Sequence, residues 1–438
     1  MAPRIDTAQV WLWGVMIGAV SWDKRGYSLF EYTPEFCDSG IQLAPLTMPL
    51  ARTIYQFPDL NPATYRGLPG LLADALPDKF GNALIDQWLV REGIDREEFT
   101  PLDRLCYIGK RAMGALEFHP AVRRPSRLDH PLDLAAMVDL VSRILSARGE
   151  LRGTLGRDET VDEEILRDIL HVGVSAAGAR AKAVVAYNES SGEVRSGQLD
   201  LAPGFEHWLL KFDGVRNNRD KELADSQGYG LMEYAYYRMA TVAGIQMSEC
   251  RLLPENDRHH FMTRRFDRTA TGKKLHMQSL CAMAHYDFNL PGAYSVEQAM
   301  QVSRDLGLGM SAIEQLYRRA LFNIVARNQD DHVKNIAFLM DSSGQWRLAP
   351  AFDLTFAYNP EGAFTSQHQM TLNGKRKDYQ VEDFIALGKR FNLPRRQALA
   401  ILEEVEAGVR LWPAEAAQLG VPEDQIEVRQ QYHRFFLT

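Results

Sequence analysis

A chain of 438 residues is longer than one hydrophobic core usually serves, so two or three lobes are expected. Its 45% hydrophobic and 24% charged residues exclude a largely disordered protein. The formal net charge of -7 excludes a global positive field that would hold nucleic acid by phosphate neutralisation, and four widely separated cysteines with no CxxC pair indicate neither a zinc ribbon nor a disulfide scaffold.

In chain order, residues 9–57 read as strands: "VWLWGVMIGAVSW", a charged turn at Asp23, Lys24, Arg25 and Gly26, then "YSLFEY" and "IQLAPLTMPL". The apolar run 10–20 is too short for a bilayer, which takes roughly 20 apolar residues, so no membrane association is expected. Residues 67–93 have helical spacing, broken at Pro77 and ended near Gly93. The stretch 105–120, "LCYIGKRAMGALEFHP", reads as strand and turn. Pro120, Pro125 and Pro131 mark a linker. Helical periods follow at 132–147 and 159–171, then a small-residue loop and the strands "KAVVAY" and "HWLLKFD". A helix at 224–243 leads to "MSECRLLP" and "HHFMTRRFDR", which read as strands. Beyond 294 most segments are helical. A β-rich first half and an α-rich second half predict an α+β fold with two unequal lobes. Basic clusters at Arg123, Arg124 and Arg127, and at Lys375, Arg376 and Lys377, read as solvated loops.

One stretch breaks the helical second half. In "ARNQDDHVKNIAFLM", 326–340, Asp330, Asp331, His332, Lys334 and Asn335 sit between a helical pattern and a buried strand. Phosphoryl transfer needs a carboxylate near the acceptor hydroxyl, two oxygen ligands for magnesium, a cation on the phosphates and a covering loop. Asp330 and Asn335 have the spacing of a kinase catalytic-loop Asp and Asn, and Asp353 follows in "APAFDLTF" as a second metal ligand. Lys211, within "HWLLKFD", needs an anionic partner if buried; a phosphate or a carboxylate would serve. "GVSAAGARAK", 173–182, has residues small enough for backbone amides to approach phosphate oxygens, although it is neither GxGxxG nor GxxxxGK[ST]. His332 and Lys334 taken singly read as ordinary loop residues. Asp330 and Asp331 are adjacent carboxylates that repel unless a cation or cap relieves them, so one of the pair is expected to face away.

These motifs together resemble the HipA family of bacterial serine/threonine kinase toxins from type II toxin-antitoxin modules. The resemblance covers most of the chain, with "LPGLLADALPD" and "IGKRAMGALEFHP" similar to the family's N-terminal subdomain. It implies a protein-kinase-like bilobal fold with an added subdomain over 1–125, an ATP-gripping lobe over 126–268 and a helical catalytic lobe over 269–438. "SAAGARAK" is similar to the family's phosphate loop. This implies nucleotide contacts from Ser175, Ala177, Gly178, Ala179 and Lys182, with Ser175 as an inhibitory autophosphorylation site. The resemblance further places Lys211 on ATP phosphates, Arg264 and Phe266 in the adenine hinge, Gln278 near the nucleotide and His332 beside the phosphates. It makes Asp330 the catalytic carboxylate, with Asn335 and Asp353 holding Mg2+. Departures are Asp331 where glycine is common, Ser279 and Leu280 for an acidic pair, and Arg264 where Glu is frequent.

The implied partners are a HipB-like helix-turn-helix antitoxin, operator DNA through that complex, and a protein substrate such as an aminoacyl-tRNA synthetase, all in the cytoplasm. Three other readings stay open: a small-molecule phosphotransferase of the aminoglycoside-kinase type, a non-catalytic docking protein, and a metal-dependent hydrolase or nuclease using Asp330, Asp331, His332 and Asp353.

Overall fold

The computed structural model describes residues 5–122, 130–149, 163–173, 180–198, 201–215, 219–220, 223–224 and 228–437. The first apolar run is two strands, β1 (Thr7–Leu12) and β2 (Val15–Trp22), because Trp13 and Gly14 both adopt positive φ, 48° and 82°. Those angles belong to the tight hairpin turn whose twist matches paired strands. With β3 (Ser28–Tyr32), β4 (Ile54–Tyr55) and β5 (Leu116–His119) they form an antiparallel sheet ordered β4-β3-β2-β1-β5.

Two sequence expectations fail here. "IQLAPLTMPL" is irregular apart from a bridge between Ala44 and Met48, since Pro45 and Pro49 lack the N–H a ladder needs. Of the stretch 105–120, expected as strand and turn, Leu116–His119 is strand β5, but 105–108 complete the helix Pro101–Ile108, opened by a capping box between Thr100 and Asp103 with Pro101 in the first turn. The helix Lys79–Glu92 ends at Gly93 in the left-handed region, as its spacing suggested.

A second antiparallel sheet, ordered β11-β12-β8-β6-β7, combines β6 (Lys182–Tyr187), β7 (Val194–Ser196), β8 (Glu206–Lys211), β11 (Cys250–Glu255) and β12 (Arg258–Arg264). Between β8 and β11 lie a two-residue ladder of β9 (Arg219–Asp220) with β10 (Leu223–Ala224), and the helix Tyr229–Val242. A third sheet, β13 (His276–Ser279), β14 (Ala337–Met340) and β15 (Trp346–Leu348), takes in the end of the stretch 326–340.

Two large cores result. One joins the N-terminal sheet and its helices to the second sheet, with Phe80 and Leu84 in the same cluster as Val185 and Leu210. The other packs Tyr229–Val242, Met310–Val325 and Arg395–Arg410. No helix among the described residues is long and apolar enough to cross a membrane.

Candidate active site

Glycine sets the geometry that brings the lobes' charges together. A Cβ on Gly230 would stand 2.1 Å from the carbonyl oxygen of His259, so only glycine lets the helix Tyr229–Val242 lie against β12. Gly228, at φ 91°, precedes the helix and donates its N–H to Asp213 Oδ1 at 2.9 Å. One turn beyond Gly230, Glu233 comes to face β8.

There Lys211 Nζ donates to the carboxylates of both Glu233 and Asp353. Glu233 is 3% exposed and Asp353 32%. Burial disfavours the Lys211 ammonium, but Asp353 and Glu233 outweigh it and hold the group above the ordinary lysine range. For Asp353 burial pushes upward, and Lys211 with Lys182 prevails to keep its carboxyl below the usual range. Asp353 has φ 54°, a left-handed conformation that is strained for a residue with a side chain. Its carbonyl accepts from Asn328 Nδ2 at 3.4 Å, and Met247 bridges Ala351, two residues before it. Arg180 reinforces Asp353 electrostatically and lays its guanidinium 3.4 Å from the Tyr229 ring centre.

The polar stretch after the helix Met310–Val325 is fixed by backbone pairing with the Asp353 segment. Gln329 donates to the Ala357 carbonyl at 3.0 Å, and Ala357 to that of Arg327 at 3.0 Å. Residues Val333–Asn335 form a single 3-10 turn, and Asn335 Nδ2 donates to the Asp330 carbonyl at 2.9 Å. Of the adjacent carboxylates, Asp331 is engaged by another segment: its Oδ2 lies 2.7 Å from His368 Nδ1, and its Oδ1 accepts from Gln369 N at 2.7 Å. His332 packs edge-on to Phe288, 5.5 Å between centroids, while Lys334 Nζ sits 4.9 Å over the same ring.

The remaining sequence candidates are distributed as follows. Lys182, 2% exposed on β6, is the register partner of Lys211 and lies 3.7 Å from Asp78 of the N-terminal subdomain. Arg264 ends β12; its side chain pairs with Glu206 and Glu249, and its carbonyl accepts from Ser248 Oγ at 2.6 Å. Phe266 lies against Phe352, 5.7 Å between ring centres, joining the segment after β12 to the residue before Asp353. Gln278 is buried on β13 with neither amide atom hydrogen-bonded among the described residues. Ser279 and Leu280 need no acidic neighbour of their own, because Asp74 supplies a carboxylate to Ser279 N at 2.6 Å and to its Oγ at 2.9 Å. Ser175, Ala177, Gly178 and Ala179 lie outside the described residues, as do Arg123, Arg124 and Arg127.

The sequence reading missed Glu233 and Asp78. The available signal for Glu233 was a lone carboxylate within the apolar "GLMEYAYY" of a helix. Asp78 stood in a quoted motif, "LPGLLADALPD", without a role.

An Asn and an Asp are a sparse ligand set, and among the described residues no three His, Cys, Asp or Glu side chains gather to hold a metal. That sparseness suits Mg2+, which is commonly bound by one or two carboxylates plus substrate phosphates.

Comparison with known proteins fits this arrangement. A protein named "Putative kinase Y4mE" from Sinorhizobium fredii (strain NBRC 101917 / NGR234) is 25% identical over 396 residues, covering 84% of this chain and 82% of that protein. A chain of the solved Shewanella oneidensis MR-1 toxin-antitoxin complex of HipA, HipB and operator DNA superposes with a TM-score of 0.66 at 19% identity, covering 97% of this chain and 94% of that one. The fold is thus the α+β, protein-kinase-like bilobal one that the motifs implied. The family model of the HipA N-terminal domain matches residues 8–119 and that of the HipA-like C-terminal domain matches 174–412. Because the second match alone spans more than half of the sequence, the chain belongs to the HipA family.

Proposed function

We propose that the protein is a HipA-type toxin kinase that transfers the γ-phosphoryl group of ATP to a serine or threonine hydroxyl of a protein. The observation that carries this reading is Lys211, held between Glu233 and Asp353 beside a loop bearing Asp330 and Asn335. In this reading residues 1–125, 126–268 and 269–438 act as N-terminal subdomain, nucleotide lobe and catalytic lobe.

Lys211 contacts ATP phosphates, with Glu233 fixing its direction. Asp330 orients the acceptor hydroxyl and takes up its proton as the phosphoryl group is transferred. Asn335 and Asp353 hold magnesium, which when bound neutralises charge on the phosphate oxygens. Phe266 and Arg264 flank the adenine, Gln278 and His332 line the nucleotide site, and residues 175–182 cover the phosphates. Ser175, once phosphorylated, adds roughly -1.5 to -2 charges where those phosphates bind and so switches the enzyme off. A HipB-like antitoxin neutralises the kinase and ties it to operator DNA, and the acceptor is a cytoplasmic translation component such as an aminoacyl-tRNA synthetase.

Incubation with γ-labelled ATP, magnesium and a bacterial extract tests this. Label in a protein band and in the kinase itself, absent with Asp330→Ala and mapped to Ser175 by peptide mass spectrometry, supports the reading. Label confined to a small molecule would replace it with the aminoglycoside-kinase type.

A further inference from the structure

Lys182 and Lys211 are register partners on β6 and β8. Their side chains therefore leave the same face of the sheet, where two ammonium groups repel. Lys211 is compensated by Glu233 and Asp353. Across from Lys182 stands Asp78, which belongs to the N-terminal subdomain, with its Oδ2 3.7 Å from the ammonium.

Asp78 is firmly held. Its Oδ1 caps the helix Lys79–Glu92 by accepting from Gly81 N at 2.6 Å. Asn82 Nδ2 grips the Pro77 and Asp78 carbonyls at 2.7 and 2.8 Å, while Arg104 Nη1 donates to Asn82 Oδ1 at 2.8 Å. The other oxygen, Oδ2, is buried with no hydrogen bond among the described residues, on a side chain only 6% exposed. The same helix abuts the start of the phosphate-loop motif, since a Cβ on Gly173 would meet Leu84 Cδ1 at 2.7 Å.

We infer that Asp78 is a positioning residue of the nucleotide site: the N-terminal subdomain supplies a counter-ion that helps to keep Lys182 charged and directed at the phosphates. The inference rests on the kinase reading above. Burial already lowers the affinity of Lys182 for its proton, and Asp78 opposes that loss. Without Asp78 the amine beside Lys211 is driven toward its neutral form, which attracts phosphate far less. Burial also pushes the Asp78 carboxyl up to about 7 against the pull of Lys182 and, more weakly, Lys334. Lys211, Asp353 and Glu233 are the further charges acting on Lys182. Asp78 therefore provides its charge above neutral pH and withdraws it below.

The test is calorimetric titration of MgATP into the full-length protein and into Asp78→Asn, Lys182→Met and the double variant. At about pH 8, Asp78→Asn is expected to weaken MgATP binding about tenfold, and in turnover assays to raise the KM for ATP with kcat largely kept. The ratio of wild-type to Asp78→Asn affinity, from which the titration of ATP itself cancels, should shrink toward one below about pH 6. Adding Asp78→Asn to Lys182→Met should cost less than about twofold, because the group through which Asp78 acts is already gone. Wild-type affinity in Asp78→Asn at about pH 8, or a full further loss in the double variant, overturns the inference and leaves the kinase reading standing. A wild-type protein that binds no MgATP overturns both. If Asp78→Asn does not fold, the double variant against Lys182→Met decides alone, since both lack the Lys182 ammonium.

Discussion

Lys211→Met isolates the charge cluster at the centre of the site. Methionine keeps most of the apolar stem, so the change removes the ammonium while two carboxylates remain beside each other. Deleting one partner of a buried ion pair costs about 3–5 kcal/mol. Glu233, 3% exposed, would bear the full penalty, whereas Asp353, 32% exposed, can rehydrate, which places the expected loss near 3 kcal/mol. A buried carboxylate left without its counter-ion costs most while it is charged, so the loss is expected to grow from acid toward neutral pH. Urea unfolding followed by tryptophan fluorescence at about pH 5 and about pH 7.5 measures this, comparing the same transition in each variant because a chain with two cores need not unfold in one step. Lys211→Met/Glu233→Gln, with the stranded charge removed, should regain most of the loss. A loss below about 1 kcal/mol at the higher pH, or one that Glu233→Gln fails to relieve, would refute the claim that these charges compensate one another.

Asp330→Ala should lower phosphoryl transfer by a factor of about 10²–10⁴ while calorimetric MgATP affinity stays within a few-fold, the signature of a group acting on the hydroxyl rather than on the nucleotide. His368→Leu removes one of the two hydrogen-bond partners of Asp331 among the described residues and loosens the loop that carries Asp330; steady-state kinetics should show a fall in kcat larger than any change in the KM for ATP. Gly230→Ala forces a Cβ to within 2.1 Å of the His259 carbonyl oxygen, so the helix bearing Glu233 must shift; thermal unfolding should report a loss of about 1–3 kcal/mol or more, with ATP binding weakened as well.

How much of this site the sequence disclosed follows from where each partner lies along the chain. Asp330 and Asn335 could be singled out together because they lie five residues apart on one short segment, where Asn335 Nδ2 reaches the Asp330 carbonyl. Lys211 was legible as a buried cation in an apolar strand, yet that pattern cannot say whether a phosphate or a carboxylate answers it. The structure supplies two carboxylates, 22 and 142 residues away. Nothing local marks Glu233, since its role arises from Gly230 allowing a helix to touch β12, a packing event between segments about 30 residues apart. The early strand errors share a cause with these omissions. Pro45 and Pro49 remove ladder donors from an otherwise apolar run, and Thr100 with Asp103 starts a helix that the glycines at 109 and 114 disguised. Asp78 is the extreme case. Proline before it and a helix after it account for its presence as a cap, and only the approach of β6 shows that its second oxygen faces Lys182. A residue whose local duty is already explained attracts no further question from sequence. Buried carboxyl oxygens that a cap leaves without a hydrogen bond are therefore a physical criterion by which such long-range counter-ions can be sought.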